Sequence, residues 1–257
     1  MSRLQGAFSG GKAFIPFIVA GDPSLEITEQ LVLKMAEAGA DLIELGIPFS
    51  DPVAEGPVIQ KADSRALSAG TTTDGIFNMV ENIRKFSDVP LALMTYANPV
   101  FSYGADRFIK KCRNVGVDGI IVPDVPFEER EEFLPYCLKY DIDFVSMIAP
   151  TSRSRIKMIA KESQGFLYCV SSMGVTGVRD NIGIEIGDMI KDVRRISHIP
   201  CAIGFGISIP EQAAKMGKLA DGVIVGSAIV KIIENHGADC IPHVVDFVRA
   251  MKRAIKG

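Results

Sequence analysis

The chain has 257 residues, 47% of them hydrophobic, and a formal net charge of −3. That composition supplies one large core, and it leaves no basic footprint for nucleic acid and no polybasic or lipidation motif for a membrane surface. The opening MSRLQGAFSGGK lacks the charged-then-apolar pattern of a secretion signal, and the apolar run at residues 13–20 is too short to span a bilayer, so a soluble, cytoplasmic protein is expected.

In chain order, apolar runs fall at residues 13–20, 41–47, 91–96, 119–122, 143–148, 165–170, 201–205 and 222–225. Each is apolar at nearly every position, as expected of strands covered on both faces. Helical patterns lie between them at 24–38, 75–86, 105–115, 128–140, 154–163, 186–197 and 210–218, with a last one at 240–255. In the first, Leu31, Met35 and Ala38 share one side, with acids opposite. Strand–helix alternation repeated eight times at this length predicts a (β/α)₈ TIM barrel, one domain over residues 1–257. The alternative is a doubly wound open sheet. Its Gly-rich fingerprint would follow the first strand, where this chain instead has Gly21-Asp22-Pro23. Gly39, Gly116 and Gly217 follow helical patterns and are expected as C-caps. The pairs Ala40-Asp41, Val117-Asp118 and Ala220-Asp221 then lead back into strands, and these aspartates are assigned to turn chemistry, not catalysis.

Cys112, Cys137, Cys169, Cys201 and Cys240 are scattered without C-x-x-C spacing and read as reduced thiols. His198, His236 and His243 do not cluster with acids, so no metal site is expected.

The stretch DLIELGIPFSDPVAEGPVIQ (41–60) carries the strongest chemical signal. Alternate residues of a strand share a face, so Leu42, Glu44 and Gly46 point one way and Ile43, Leu45 and Ile47 the other. A structural acid in this position would pair with a Lys or Arg from a neighbouring strand, and the other apolar runs offer none. Glu44 therefore reads as a site carboxyl. Glu55 follows in a loop that also holds Asp51, and two acids in different surroundings suit acid–base chemistry.

Barrel sites sit where strands end. Those positions hold Tyr96, Asn98-Pro99 and Asp124 as rim candidates, then Tyr168, then Gly204-Phe205-Gly206 and Gly226-Ser227. The last two clusters, after strands seven and eight, are expected to cradle phosphate with backbone N–H groups. The loop 171–183, with Gly174, Gly177 and Gly183 as hinges and Thr176 within it, is expected to be a lid.

Together these motifs resemble the tryptophan synthase alpha chain family. The resemblance runs through FIPFIVAGDP (14–23), ELGIPFSDPVAEGPVIQ (44–60), YANPVFSYG (96–104), GVDGIIVPDVP (116–126), YCVSSMGVTG (168–177), GFGIS (204–208) and DGVIVGSAIV (221–230). It implies retro-aldol cleavage of indole-3-glycerol phosphate to indole and glyceraldehyde 3-phosphate. Glu44 is implied as the acid that protonates indole C3, and Glu55 as the acid that takes the indole N–H. Tyr168, Thr176, Gly177, Phe205, Gly206, Gly226 and Ser227 are implied around the substrate, with Phe205 in the indole pocket. The resemblance implies no cofactor in this chain, and a beta chain carrying pyridoxal phosphate as its partner in an alpha2-beta2 heterotetramer. Two positions depart from the common pattern. Glu55 stands where the family usually has Asp, and Ser172 stands where many relatives have Arg. These departures motivate an alternative, a catalytically weak alpha-like subunit that acts mainly on its beta partner. A phosphate-binding isomerase barrel is a third reading.

Overall fold

Among the described residues, nine short parallel strands form the framework: β1 (Ala13–Val19), β2 (Ile43–Gly46), β3 (Leu91–Met94), β4 (Gly119–Ile121), β5 (Asp143–Phe144), β6 (Ser146–Ile148), β7 (Leu167–Val170), β8 (Cys201–Gly204) and β9 (Gly222–Val225). The computed structural model describes residues 1–152, 154–170, 179–204 and 206–256, with backbone alone at 179–184. The strands pair in the order β5-β4-β3-β2-β1-β9-β8-β7-β6. β5 and β6 are two halves of one stave, the run expected at 143–148. Its first half pairs with β4 and its second with β7. Between them the Val145 N–H still donates to the Ile120 carbonyl at 2.9 Å, so the ring closes through this residue. The result is the expected (β/α)₈ barrel.

Alternation sorts each strand into two faces. Ile18, Ile43, Leu45, Leu93 and Ile120 pack outward against helical residues such as Leu31, Met35 and Phe77. Ala13, Ile15, Leu42, Ala92, Ile121, Val145, Ala202 and Ile224 fill the barrel. Leu4, from the short helix Arg3–Gly6, plugs the same interior.

The re-entry aspartates are structural. Asp41 accepts the Phe14 N–H at 2.7 Å, Asp118 the Leu91 N–H at 2.9 Å and Asp221 the Cys201 N–H at 3.0 Å. Each carboxylate thus satisfies a backbone donor in the first two residues of a neighbouring strand, which would otherwise be an orphan. Gly39 and Gly116 have the positive φ of a helix stop, at 104° and 88°. Gly217 differs from expectation: it is the last residue of helix Pro210–Gly217, and Lys218 is the cap.

Several helical boundaries also differ. The pattern at 128–140 resolves into a 3₁₀ turn, Phe127–Glu132, and the helix Leu134–Tyr140. The helix expected at 186–197 runs Arg179–Arg194, so Gly183 lies inside it and is not a loop hinge. Helices Pro57–Ser68, Ala97–Tyr103 and Ser227–His236 follow strand ends where the sequence reads as loop. The first of these opens with Gly56 as N-cap and Pro57 in its first turn, a helix-start signal in the sequence.

Candidate active site

A cavity of about 520 Å³ opens at the C-terminal ends of the strands. Its wall brings together Phe17, Glu55, Met94, Tyr168, Gly206, Ile224, Gly226 and Ser227. A larger surface hollow of about 830 Å³ lies at the opposite rim, beside Lys12, Pro200 and Asp221, and holds none of the residues expected at the site.

Glu44 sits on the inner face of β2, between Leu42, which is in the interior cluster, and Gly46. It pairs in register with Phe17 of β1 and Ala92 of β3. It is 0% exposed, and neither carboxyl oxygen meets a hydrogen-bond donor among the described residues. Burial alone pushes its pKa up to about 8. A carboxyl in such surroundings stays protonated at neutral pH, because nothing compensates the lost hydration of the anion. Its nearness to Tyr168 is felt there too: burial, and then the Glu44 charge, raise the Tyr168 hydroxyl.

Glu44 is not itself on the cavity wall. The Phe17 ring lies against Gly46, where a Cβ would meet Phe17 Cζ at 2.8 Å. A Cβ on Gly226 would approach the same ring at 3.1 Å, and one on Gly204 would meet the Tyr168 hydroxyl oxygen at 2.6 Å. So three glycines make room for two aromatic rings, which line the cavity beside the buried acid. This refines the expectation for Gly226, whose small size, like that of Gly46, first serves Phe17.

Gly206 is different. Its φ is +66° and a Cβ there would meet nothing within 4 Å. The backbone shape, not crowding, requires glycine. Beside it, helix Ser227–His236 starts with Gly226 as N-cap and has no side-chain cap. Uncapped N–H groups at a helix start, facing a cavity, are an anion-binding arrangement.

Glu55 lines the cavity from the loop after β2. Burial raises its pKa, while hydrogen bonding to Asp63 and Tyr96 opposes the rise. The Tyr96 hydroxyl also accepts the Ala54 N–H at 3.1 Å, tying the loop to the end of β3. Asp63, on helix Pro57–Ser68, is 3% exposed and is raised to about 9. Its causes are burial first, then Glu55, then Asp22.

Of the rim candidates, Tyr96 is buried and anchors the loop. Asp124 accepts the Ala97 N–H at 3.1 Å and so caps helix Ala97–Tyr103, a structural task. Asn98 is in that helix, where it accepts a bond from Ser102. Asp51 is exposed and bonded to Ser50, away from the cavity wall. Thr176, Gly177 and Phe205 lie outside the described residues, as do Ser171, Ser172 and Gly174. Sequence reasoning missed Asp63 and Phe17. The signal for Asp63 was available: Ala62, Asp63 and Ala66 form a helical one-face pattern just after a Gly-Pro helix start, and all three are buried. Among the described residues, no three His, Cys, Asp or Glu side chains gather as metal ligands do.

Residues 5–256 match the family described as the tryptophan synthase alpha chain. A tryptophan synthase alpha chain of Lacticaseibacillus casei is 47% identical over 255 residues, covering 99% of this chain and 96% of that one. One from Thermoanaerobacter sp. (strain X514) is 46% identical over 262 residues, covering 99% and 100%. In three dimensions the chain is similar to tryptophan synthase subunit alpha from Legionella pneumophila, with a TM-score of 0.90, 36% identity and coverage of 100% and 99%. It is also similar to a chain of the tryptophan synthase a2b2 complex from Pyrococcus furiosus, with a TM-score of 0.87, 37% identity and coverage of 95% and 98%.

Proposed function

Because the chain belongs to the tryptophan synthase alpha chain family, we propose that it performs the lyase step of that synthesis, retro-aldol cleavage of indole-3-glycerol phosphate to indole and glyceraldehyde 3-phosphate. One observation carries the reading: Glu44, a wholly buried carboxyl without a partner among the described residues, faces into the barrel beneath a cavity rimmed by an open helix start.

The roles follow from the chemistry. The phosphate binds at Gly206, Gly226 and Ser227, beside a helix start that has no side-chain cap. The indole lies in the apolar part of the cavity, between Phe17, Met94 and Ile224. Neutral Glu44 delivers its proton to indole C3, which makes the ring an electron sink. The resulting carboxylate takes the hydroxyl proton from the adjacent side-chain carbon. The carbon–carbon bond then breaks, its electrons return to the ring, and the aldehyde leaves. Glu55 accepts the indole N–H as positive charge develops on the ring. Tyr168 shapes the pocket beside Glu44. Thr176, Gly177 and Phe205 complete the substrate contacts in this reading. Since Glu44 is not on the cavity wall, delivery requires a movement of its side chain past Phe17 or Tyr168.

The proposed partner is a beta chain, in an alpha2-beta2 assembly of the kind named for the Pyrococcus furiosus protein. Pyridoxal phosphate would be held there, and this chain would need no cofactor of its own. No helix among the described residues is long and apolar enough to cross a membrane, and we place the enzyme in the cytoplasm.

The deciding experiment measures indole release from indole-3-glycerol phosphate by the chain with its beta partner. Glu44→Gln should lower kcat by about 10³-fold or more while substrate still binds. Equal rates for the two proteins would end the proposal.

A further inference from the structure

Two carboxyls in this site face each other without a cation between them. Glu55 and Asp63 lie close enough for each carboxyl to shift the protonation of the other. Glu55 Oε2 and Asp63 Oδ2 are both buried, and neither meets an N–H or O–H donor among the described residues. The groups around them come from several elements. Tyr96, at the end of β3, supplies a hydroxyl to Glu55, with Asp124 beyond it. The Phe49 backbone amide, in the loop after β2, bonds Asp63. Asp22, after β1, faces Asp63 and is held by Arg65 of Asp63's own helix. Arg65 also reaches Glu234 of helix Ser227–His236. Arg65 is thus committed to other acids.

Two neighbouring buried carboxylates with no cation among the described residues to compensate them are not both ionised, so one proton is shared by the pair. We propose that Asp63 is a positioning residue for Glu55: it keeps that proton and donates it as a hydrogen bond to the Glu55 carboxylate, which holds Glu55 as an oriented anion at the cavity wall. The assignment to Asp63 follows from depth and field. Asp63 is the more buried of the two and is the one that faces Asp22. Glu55 is the one that receives the Tyr96 hydroxyl. A neutral Asp63 has a second consequence. When Glu55 turns to a ligand's N–H, Asp63 stays behind without leaving a naked charge in the wall. The role of Glu55 toward that N–H rests on the function proposed above; the shared proton does not.

Two measurements keep these apart. Carboxyl ¹³C titration of the full-length chain reads the proton directly. Asp63 should titrate near 9, and in Glu55→Gln its midpoint should fall by about two pH units or more. Titration of Asp63 near its ordinary value of about 3.9 would overturn the proposal. The second measurement is indole release with the beta partner present. Asp63→Asn keeps a donor, and should retain kcat within about threefold; Asp63→Leu removes it, and should lower kcat by about tenfold or more with KM little changed. Equal losses in the two variants would overturn the positioning role, and so would full activity in Glu55→Gln. If Asp63→Leu does not fold, the titration and Asp63→Asn still decide.

Discussion

Glu44 shows how one side chain can trade stability for chemistry. Its pKa is about 8 in the fold against an ordinary value of 4.5. Between those values the native state holds a proton that the unfolded chain has released, so stability falls as pH rises through that window. Glu44→Gln removes the effect. The variant should match the parent protein near pH 4 and exceed it at pH 8 by several kcal/mol, as checked by denaturant unfolding at both pH values, because each tenfold change in acidity is worth about 1.4 kcal/mol. A pH-independent difference would mean that Glu44 is not buried neutral. Gly206 makes the opposite case, where the backbone is the strained part. With φ at +66° and open space around its missing Cβ, Gly206→Ala should cost about 1–2 kcal/mol through conformation alone. It should also raise the KM for the phosphate substrate. Had crowding been the reason for glycine, the loss would be larger and Phe17 would move, as expected instead for Gly226.

Helix Pro57–Ser68 decides where the second acid stands. It follows the Glu55 loop at once, and its buried face carries Ala62, Asp63 and Ala66. Two residues past Asp63, Arg65 grips Asp22 through two bonds, of 2.8 and 2.7 Å, and Asp22 is 2% exposed. Arg65→Ala leaves that acid unpaired. The expected cost is about 3 kcal/mol by equilibrium unfolding, with the low end favoured because a third of Arg65 is in water. Arg65→Lys keeps the charge but not the fork, and should fall between. This helix was the least legible element. Its Gln-Lys-Ala-Asp-Ser-Arg sequence shows no apolar stripe, because its buried positions are small or charged. By contrast helix Ala105–Val115 has its expected bounds, since Phe108, Ile109, Cys112 and Val115 form a full apolar face.

At the level of the whole molecule, the barrel depends on its seam. Stave 143–148 pairs to one side before Val145 and to the other after it, and the Val145 N–H holds the junction at Ile120. Val145→Pro deletes that bond where two pairings meet. A loss of about 3 kcal/mol is expected, with hydrogen exchange increased in β4 and β7 before the other strands. Uniform exchange would show that the seam is no weaker than the rest.

The chain's own pattern determined the alternation of strands and helices, the closed parallel architecture and the inward direction of Glu44. The alternation and the direction of Glu44 are local. Strand periodicity is set by the backbone, and an acid between Leu42 and Gly46 must face as they do. Only the tertiary structure decided that Phe17 packs beside Gly46 and Gly226, that Tyr168 lies close enough to feel Glu44, and that Glu55 shares its surroundings with Asp63 and Tyr96. Those meetings depend on ring closure and on the depth at which each side chain ends. Burial, more than residue type, then raises the acids of this site, and burial is a property of the assembled barrel.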